Sequence, residues 1–270
     1  MTAVHLLQVI TAVHVGEGAQ VGAVGLPVAR ERHTGWPFIP GSSMKGALRA
    51  WSHQNECKAE DVARAFGPEV GEPLAKGLVS FGDATLLALP VRTAHNTFAL
   101  ITSPLALGRL ARTCAGCPPI PVPQSPDRIL VGKDLDLKFP ATDLAILEDL
   151  CCIQDDDARV DGWAGWLKER WLGDEAPLGH LAVVHDDLFA HATRAWLPTR
   201  TRNAIKPETG VVEGKKLFTV EYLPPETLLW TYLDDRNHGS DVLPLDGDAW
   251  AIGGHKTTGS GRVTLWQEKR

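Results

Sequence analysis

The chain has 270 residues, 44% of them apolar, and a formal net charge of −6. Such a chain can build a real core as one elaborated domain or two small ones, and its acidic balance argues against nucleic-acid binding over the whole surface while leaving room for a local basic groove. No run approaches a membrane span, the start MTAVHLLQVITAVHVGEG lacks a charged residue ahead of its apolar stretch, and the five cysteines lack disulfide-like spacing, so a cytoplasmic, reducing, membrane-free setting is expected.

In chain order, Val4 to Val15 reads as a buried strand with β-formers on both faces. Gly16, Gly18 and Gly22 follow in HVGEGAQVGAVG, a loop where backbone can approach a ligand closely, or a plain flexible connection. Arg30, Glu31, Arg32 and His33 then form a polar cluster leading into FIPGSSMKGALRAW, residues 38–51. Here a strand ends at Pro40-Gly41, Ser42 or Ser43 is expected to cap a helix, and Met44, Ala47, Leu48 and Trp51 fall at helical spacing. Lys45 and Arg49, four apart, place two cations on one face near that helix start, which suits an anion. The plainer reading is a capped helix with two solvated cations.

That helix is predicted to run to about Gln54, with a second over Ala59 to Phe66 that ends at Gly67-Pro68. Strands follow over Leu78 to Leu87, bent at Gly82, and over Phe98 to Thr102, and Pro104 opens another helix. The proline-rich stretch TCAGCPPIPVPQSPDR reads as a surface excursion. Asp143 to Leu150 and Gly162 to Leu172 are predicted helices, the second carrying Trp163, Trp166 and Trp171 as a packing face rather than a platform for bases. HDDLFAHATR reads as one more helix. Ala195 to Thr209, Leu217 to Leu223 and Thr227 to Tyr232 read as strands, with turn chemistry at Pro207 to Gly210 and at Glu213-Gly214 inside a hairpin. A second glycine-rich loop, AIGGHKTTGSGR from Ala251 to Arg262, precedes a closing strand over Val263 to Trp266. Strands and helices without regular alternation favour an α+β fold.

Cys114-x-x-Cys117 has the spacing of half a zinc site, but completing it with Cys57, His95 or the adjacent pair Cys151-Cys152 is awkward, so no structural zinc is expected. Asp155 to Asp157 read as a solvated acidic run. No GxSxG, HExxH or Walker pattern occurs, which leaves an independent hydrolase or nucleotide-binding enzyme as the poorer reading.

HVGEGAQVGAV, ERHTGWPFIPGSSMKGALRAW, FALITSPL, LFTVEYLPPETLLW and IGGHKTTGSGRV, in this order, resemble the RAMP superfamily of CRISPR effector subunits. More narrowly they look like the backbone subunit of the Cmr-type (III-B) complex, a Cas-seven family protein. The resemblance implies a single RAMP domain over residues 1–270 with a modified ferredoxin-like or RRM-like core, formed by segments of about 1–112 and 180–270 around a partly helical insertion at about 113–179. It also implies copies stacked head to tail into a helical filament along a crRNA that pairs with target RNA, within a complex of other type III subunits. RNA would be held through phosphate and sugar by His14, Gly16, Arg32, Ser42, Ser43, Lys45, Arg49, Gly254, His255, Lys256, Thr257 and Thr258. A β-hairpin thumb that wedges into the guide-target duplex is expected at Arg200 to Tyr222, with Arg200, Arg202, Lys206, Lys215 and Lys216 as cations and Ile205, Leu217 and Phe218 as apolar wedges.

One departure from the family pattern bears on activity. Active members carry an aspartate immediately before Leu-Pro, whereas here the sequence is Val24-Gly25-Leu26-Pro27. Glycine can neither orient a 2′-hydroxyl nor ligate a metal, so the expectation is guide binding without cleavage, with no catalytic residue and no cofactor. The alternative is a metal-dependent endoribonuclease, using a divalent ion such as magnesium and a substitute group among Glu17, Glu31, His14 and His33.

Overall fold

The computed structural model describes residues 2–18, 24–69, 71, 75–205, 212–235, 242–244 and 247–269. Its elements are β1 (Thr2–Val9), β2 (Phe38–Ile39), α1 (Gly41–Gln54), α2 (Ala59–Phe66), β3 (Val79–Phe81), β4 (Ala84–Arg92), β5 (Phe98–Thr102), α3 (Pro104–Ala111), β6 (Arg128–Val131), β7 (Leu144–Leu147) and β8 (Leu150–Asp156). They continue with α4 (Ala158–Leu167), β9 (Leu181–Val184), α5 (Asp186–Ala195), β10 (Thr199–Ile205), β11 (Val212–Glu221), β12 (Leu228–Asp235), β13 (Ala249–Ala251) and β14 (Arg262–Gln267).

One mixed sheet carries the fold in the order β13-β14-β1-β12-β4-β5-β9-β6-β8-β7, with β2 beside β4 and β3 beside β12. β1 runs antiparallel to both β12 and β14, and β12 runs antiparallel to β3 and β4. Hydrophobic residues fill both faces. Leu7 and Val9 of β1 join Met44 and Leu48 of α1, Phe66 of α2 and Phe189 of α5 on one side. Val4 and Leu6, one step out of phase, join Leu107 and Leu110 of α3, Trp163 of α4 and Trp171 on the other. The tryptophan set is thus a packing face: Trp166 lies edge-on to both Trp163 and Trp171, and Trp171 Nε1 donates to Val4 O at 3.1 Å. Among the described residues no helix is long and apolar enough to cross a membrane.

Several boundaries differ from the sequence reading. The first strand ends at Val9, not Val15, because Ile10 and Thr11 both donate to Arg262 O and turn the chain out of the ladder. Asp143 to Leu150 is not a helix but the hairpin of β7 and β8, turning at Glu148 in a left-handed conformation (φ 50°). Its apolar run is too short for periodicity to decide between helix and strand, and pairing with β8 decides it. The segment 113–179 holds α4 and one π turn, Lys168–Leu172, but also β6, β7 and β8, which lengthen the main sheet.

Helix α1 begins two or three residues earlier than a cap at Ser42 or Ser43 implies, at Gly41 after Pro40, and neither serine caps it. The cap comes from afar: Asp83, in the bend between β3 and β4, accepts the Gly41 N–H at 2.7 Å. A Cβ on residue 41 would lie 2.4 Å from Phe81 O, so only glycine lets the helix start this close to the strand.

Candidate nucleic-acid interface

Strands β10 and β11 form a two-stranded sheet separate from the main one. The hairpin turn predicted at Pro207 to Gly210, and Lys206 with it, lies outside the described residues. At the hairpin's root, Leu26 bridges Val220 and the chain runs on through Tyr222 to a bridge between Leu223 and Val13. Alternation along β11 turns Val220 and Phe218 inward, where they pack with Ala12, Leu26 and Tyr222, and leaves Leu217 outward at 68% exposure. Phe218 is therefore part of the hairpin's base packing, Leu217 is the exposed apolar side chain among those described, and the Ile205 side chain lies outside the described ones.

The late glycine-rich loop folds onto this root. Gly254 N donates to His14 O at 2.9 Å, and at Gly253 (φ 81°) a Cβ would lie 2.2 Å from that same oxygen, so the close approach requires glycine. His14 Nδ1 donates to Glu221 O at 2.8 Å. The rings of His14, Tyr222 and His255 lie within 5.7 to 6.1 Å of one another. Arg202 donates from Nε to the Tyr222 hydroxyl and from Nη1 to Thr258 Oγ1, each at 3.1 Å, and Thr258 Oγ1 donates on to His255 O at 2.9 Å. Arg200 stacks its guanidinium 5.1 Å from the Tyr222 ring centre. Lys256 and Thr257 stand exposed on the same turn, and Gly16 bridges Val28 beside His14. Burial holds the His255 imidazole below its ordinary value of 6.5, with Arg202 and then His14 adding to the effect.

The structure thus brings together His14, Gly16, Arg200, Arg202, Gly254, His255, Lys256, Thr257 and Thr258 from three separate sequence regions. The α1 candidates stand apart: among the described residues no hydrogen bond, ion pair or ring contact joins Ser42, Ser43, Lys45 or the exposed Arg32 to this cluster. Lys45 has no ion-pair partner among the described residues. Arg49 instead donates to Gly67 O at 2.7 Å and pairs with Glu69 at 3.1 Å, which ties α1 to the end of α2.

Two residues that organise the site were not singled out from sequence. Tyr222 is its aromatic floor. Glu221, 5% exposed, accepts the Val28 N–H at 3.0 Å and the Arg30 guanidinium at 2.6 Å, clamping the segment before α1 to the hairpin. The strand alternation of EYLPPET was the signal available for both. Of the groups considered as substitutes for the missing acid, Glu31 is held by Arg109 at 2.9 and 3.0 Å and by the Thr34 hydroxyl at 2.6 Å, and His33 Nε2 accepts from Arg109. Gly25 sits against β11, where a Cβ would meet Thr219 O at 3.7 Å and Phe218 Cβ at 3.9 Å, ordinary contact distances.

Cys114 and Cys117 lie close together, Cys117 Sγ donating to Cys114 O, and burial raises both thiols. Among the described residues no three His, Cys, Asp or Glu side chains converge as metal ligands.

A mixed sheet, a detached hairpin and a glycine-rich loop closing on the hairpin's root are the features that comparison with known proteins bears on. Residues 6–264 match the model of the RAMP superfamily, and the chain belongs to that superfamily. Within it the likeness is to the Cmr type: the chain is 33% identical to the CRISPR system Cmr endoribonuclease Cmr4 of Pyrococcus furiosus over 281 aligned positions, covering 96% of this chain and 94% of that one. The crystal structure of oligomeric Cmr4 from Pyrococcus furiosus matches with a TM-score of 0.76 at 24% identity, over 100% of this chain and 98% of the other. A chain of the type III-B Cmr-beta complex bound to cognate target RNA gives 0.75 at 21% identity, over 98% and 97%.

Proposed function

We propose that this chain is a crRNA-binding backbone subunit of a type III-B CRISPR effector complex, holding the guide for pairing with target RNA. The observation that carries the reading is the whole-length identity to Cmr4. The neighbouring structures, one of an oligomeric Cmr4 and one of a complex with target RNA, support copies that associate head to tail and act beside other subunits. The cluster of Arg200, Arg202, Lys256 and backbone N–H groups around Tyr222 and His255 suits phosphate and sugar rather than base edges, as a holder of any guide sequence requires. The hairpin of β10 and β11 is read as the thumb, with Leu217 as its wedge between bases. Residues 1–270 are read as a single RAMP domain. Its ferredoxin-like part is the antiparallel order β14-β1-β12-β3, with α1 leading from β1 to β3.

The same reading holds that the subunit binds target RNA without cutting it and keeps no resident metal, because Gly25 offers no carboxylate and Glu31 is engaged by Arg109. The name of the Pyrococcus relative, an endoribonuclease, favours the alternative. General acid-base help is typically worth about 10²–10⁴-fold in rate, so its loss is measurable. Assembled complex with complementary RNA and magnesium is expected to bind and leave the RNA intact. Gly25→Asp, for which the structure has room, is expected to restore evenly spaced cuts. Metal-dependent cutting by the unmodified protein would overturn the binding-only reading.

A further inference from the structure

On one face of the main sheet, Leu6 pairs across the ladder with Trp266, and Gln8 with Thr264. The tryptophan layer covers Leu6, and just beyond it the chain passes Glu175, whose carbonyl accepts from Gln8 Nε2 at 3.4 Å. Past that point the face opens into a groove of about 570 Å³. Its apolar surface comes from Ile10, 39% exposed, and Trp266, while Glu175, Glu226 and Asp248 supply carboxylates. Among the described lining residues there is no lysine, arginine or histidine.

Acidic residues alone would be a solvated rim, but Thr264 is different. It is 6% exposed, lines the groove, and its hydroxyl has no hydrogen-bond partner among the described residues. A buried hydroxyl left unpaired carries a desolvation penalty that a bound partner removes. Close by, Glu226 is held in left-handed backbone (φ 69°), and Gln8 Nε2 donates to its Oε2 at 3.0 Å, so that carboxylate is oriented.

We propose that this groove binds a primary ammonium carried on a methylene chain, the shared chemistry of an aliphatic polyamine and a lysine side chain. The ammonium donates to Glu226 and to Thr264 Oγ1, and the methylenes lie on Ile10 and the Trp266 ring, whose face also attracts the cation. The volume falls in the range of ordinary small-ligand sites. This assignment stands independently of the RNA reading.

The test is calorimetric titration of the RNA-free, full-length chain with spermidine at low salt. One saturable site is expected, weakened at least about 10-fold, or 1.4 kcal/mol, by Thr264→Val and by Glu226→Gln. Thr264→Val should hold or raise the thermal midpoint of the free chain, since it removes a buried hydroxyl with no partner among the described residues, and Glu226→Gln keeps an acceptor for Gln8. In parallel, zero-length carbodiimide coupling of the assembled complex, read by mass spectrometry, separates the sources. A link from Glu175 or Glu226 to a lysine identifies a protein side chain, and saturable spermidine binding identifies the free amine. The proposal is overturned by the absence of both, by spermidine binding that survives both substitutions, or by equimolar magnesium displacing spermidine, which would mark a simple counterion pool.

Discussion

His255 sits in left-handed backbone (φ 61°) between Arg202 and His14, with its imidazole held below the ordinary 6.5 by burial and those neighbours. The unfolded chain therefore binds more protons than the folded one as pH falls through 6.5, so the stability tied to this residue is present above that value and is lost below it. A phosphate beside the ring reverses the balance by favouring the imidazolium, and RNA binding then takes up a proton. At fixed ionic strength, RNA affinity measured by fluorescence anisotropy is expected to rise between about pH 7.5 and 6, and His255→Gln should flatten the rise. A flat profile for the unmodified chain would remove His255 from the phosphate contact. The family resemblance places His14 and His255 in one set of RNA-binding residues, while the residue pattern alone shows them in two separate glycine-rich loops. Their meeting depends on β1 lying beside β14, a pairing that no local pattern encodes.

Helix α1 was legible as an element, because Met44, Ala47 and Leu48 at helical spacing do become its buried face. Its start was not, since the capping carboxylate of Asp83 lies 42 residues downstream while two plausible serines stood next to the helix. Asp83→Ala is expected to cost about 1 kcal/mol in chemical denaturation, the usual worth of a helix cap. The same substitution removes a negative charge from the helix N-terminus. If RNA phosphates reach α1, affinity should rise as stability falls, and unchanged affinity would place the RNA on the His255 cluster alone. The first arm of the β7-β8 hairpin reads as a helix in the sequence because a short apolar run, LAIL, satisfies either period, and only its partner strand selects one.

Taken whole, the chain is an acidic body, net −6, that concentrates Arg200, Arg202 and Lys256 on one rim. RNA affinity should therefore fall steeply and log-linearly with salt while varying little with guide sequence. Light scattering with two guide lengths should give assemblies whose mass steps with the guide, and a monomer on a full-length guide with the partner subunits present would count against the filament. The central place of β1 also reaches into synthesis. The strand emerges from the ribosome long before β12 and β14, which flank it in the finished sheet. Until they arrive, both its edges are bare and Val4, Leu6, Leu7 and Val9 have nothing to cover them, a stretch open to wrong pairing and to chaperone capture. Slowed translation across residues 228–267, once β1 has emerged, should therefore lower soluble yield more than the same delay over residues 2–9, before it has.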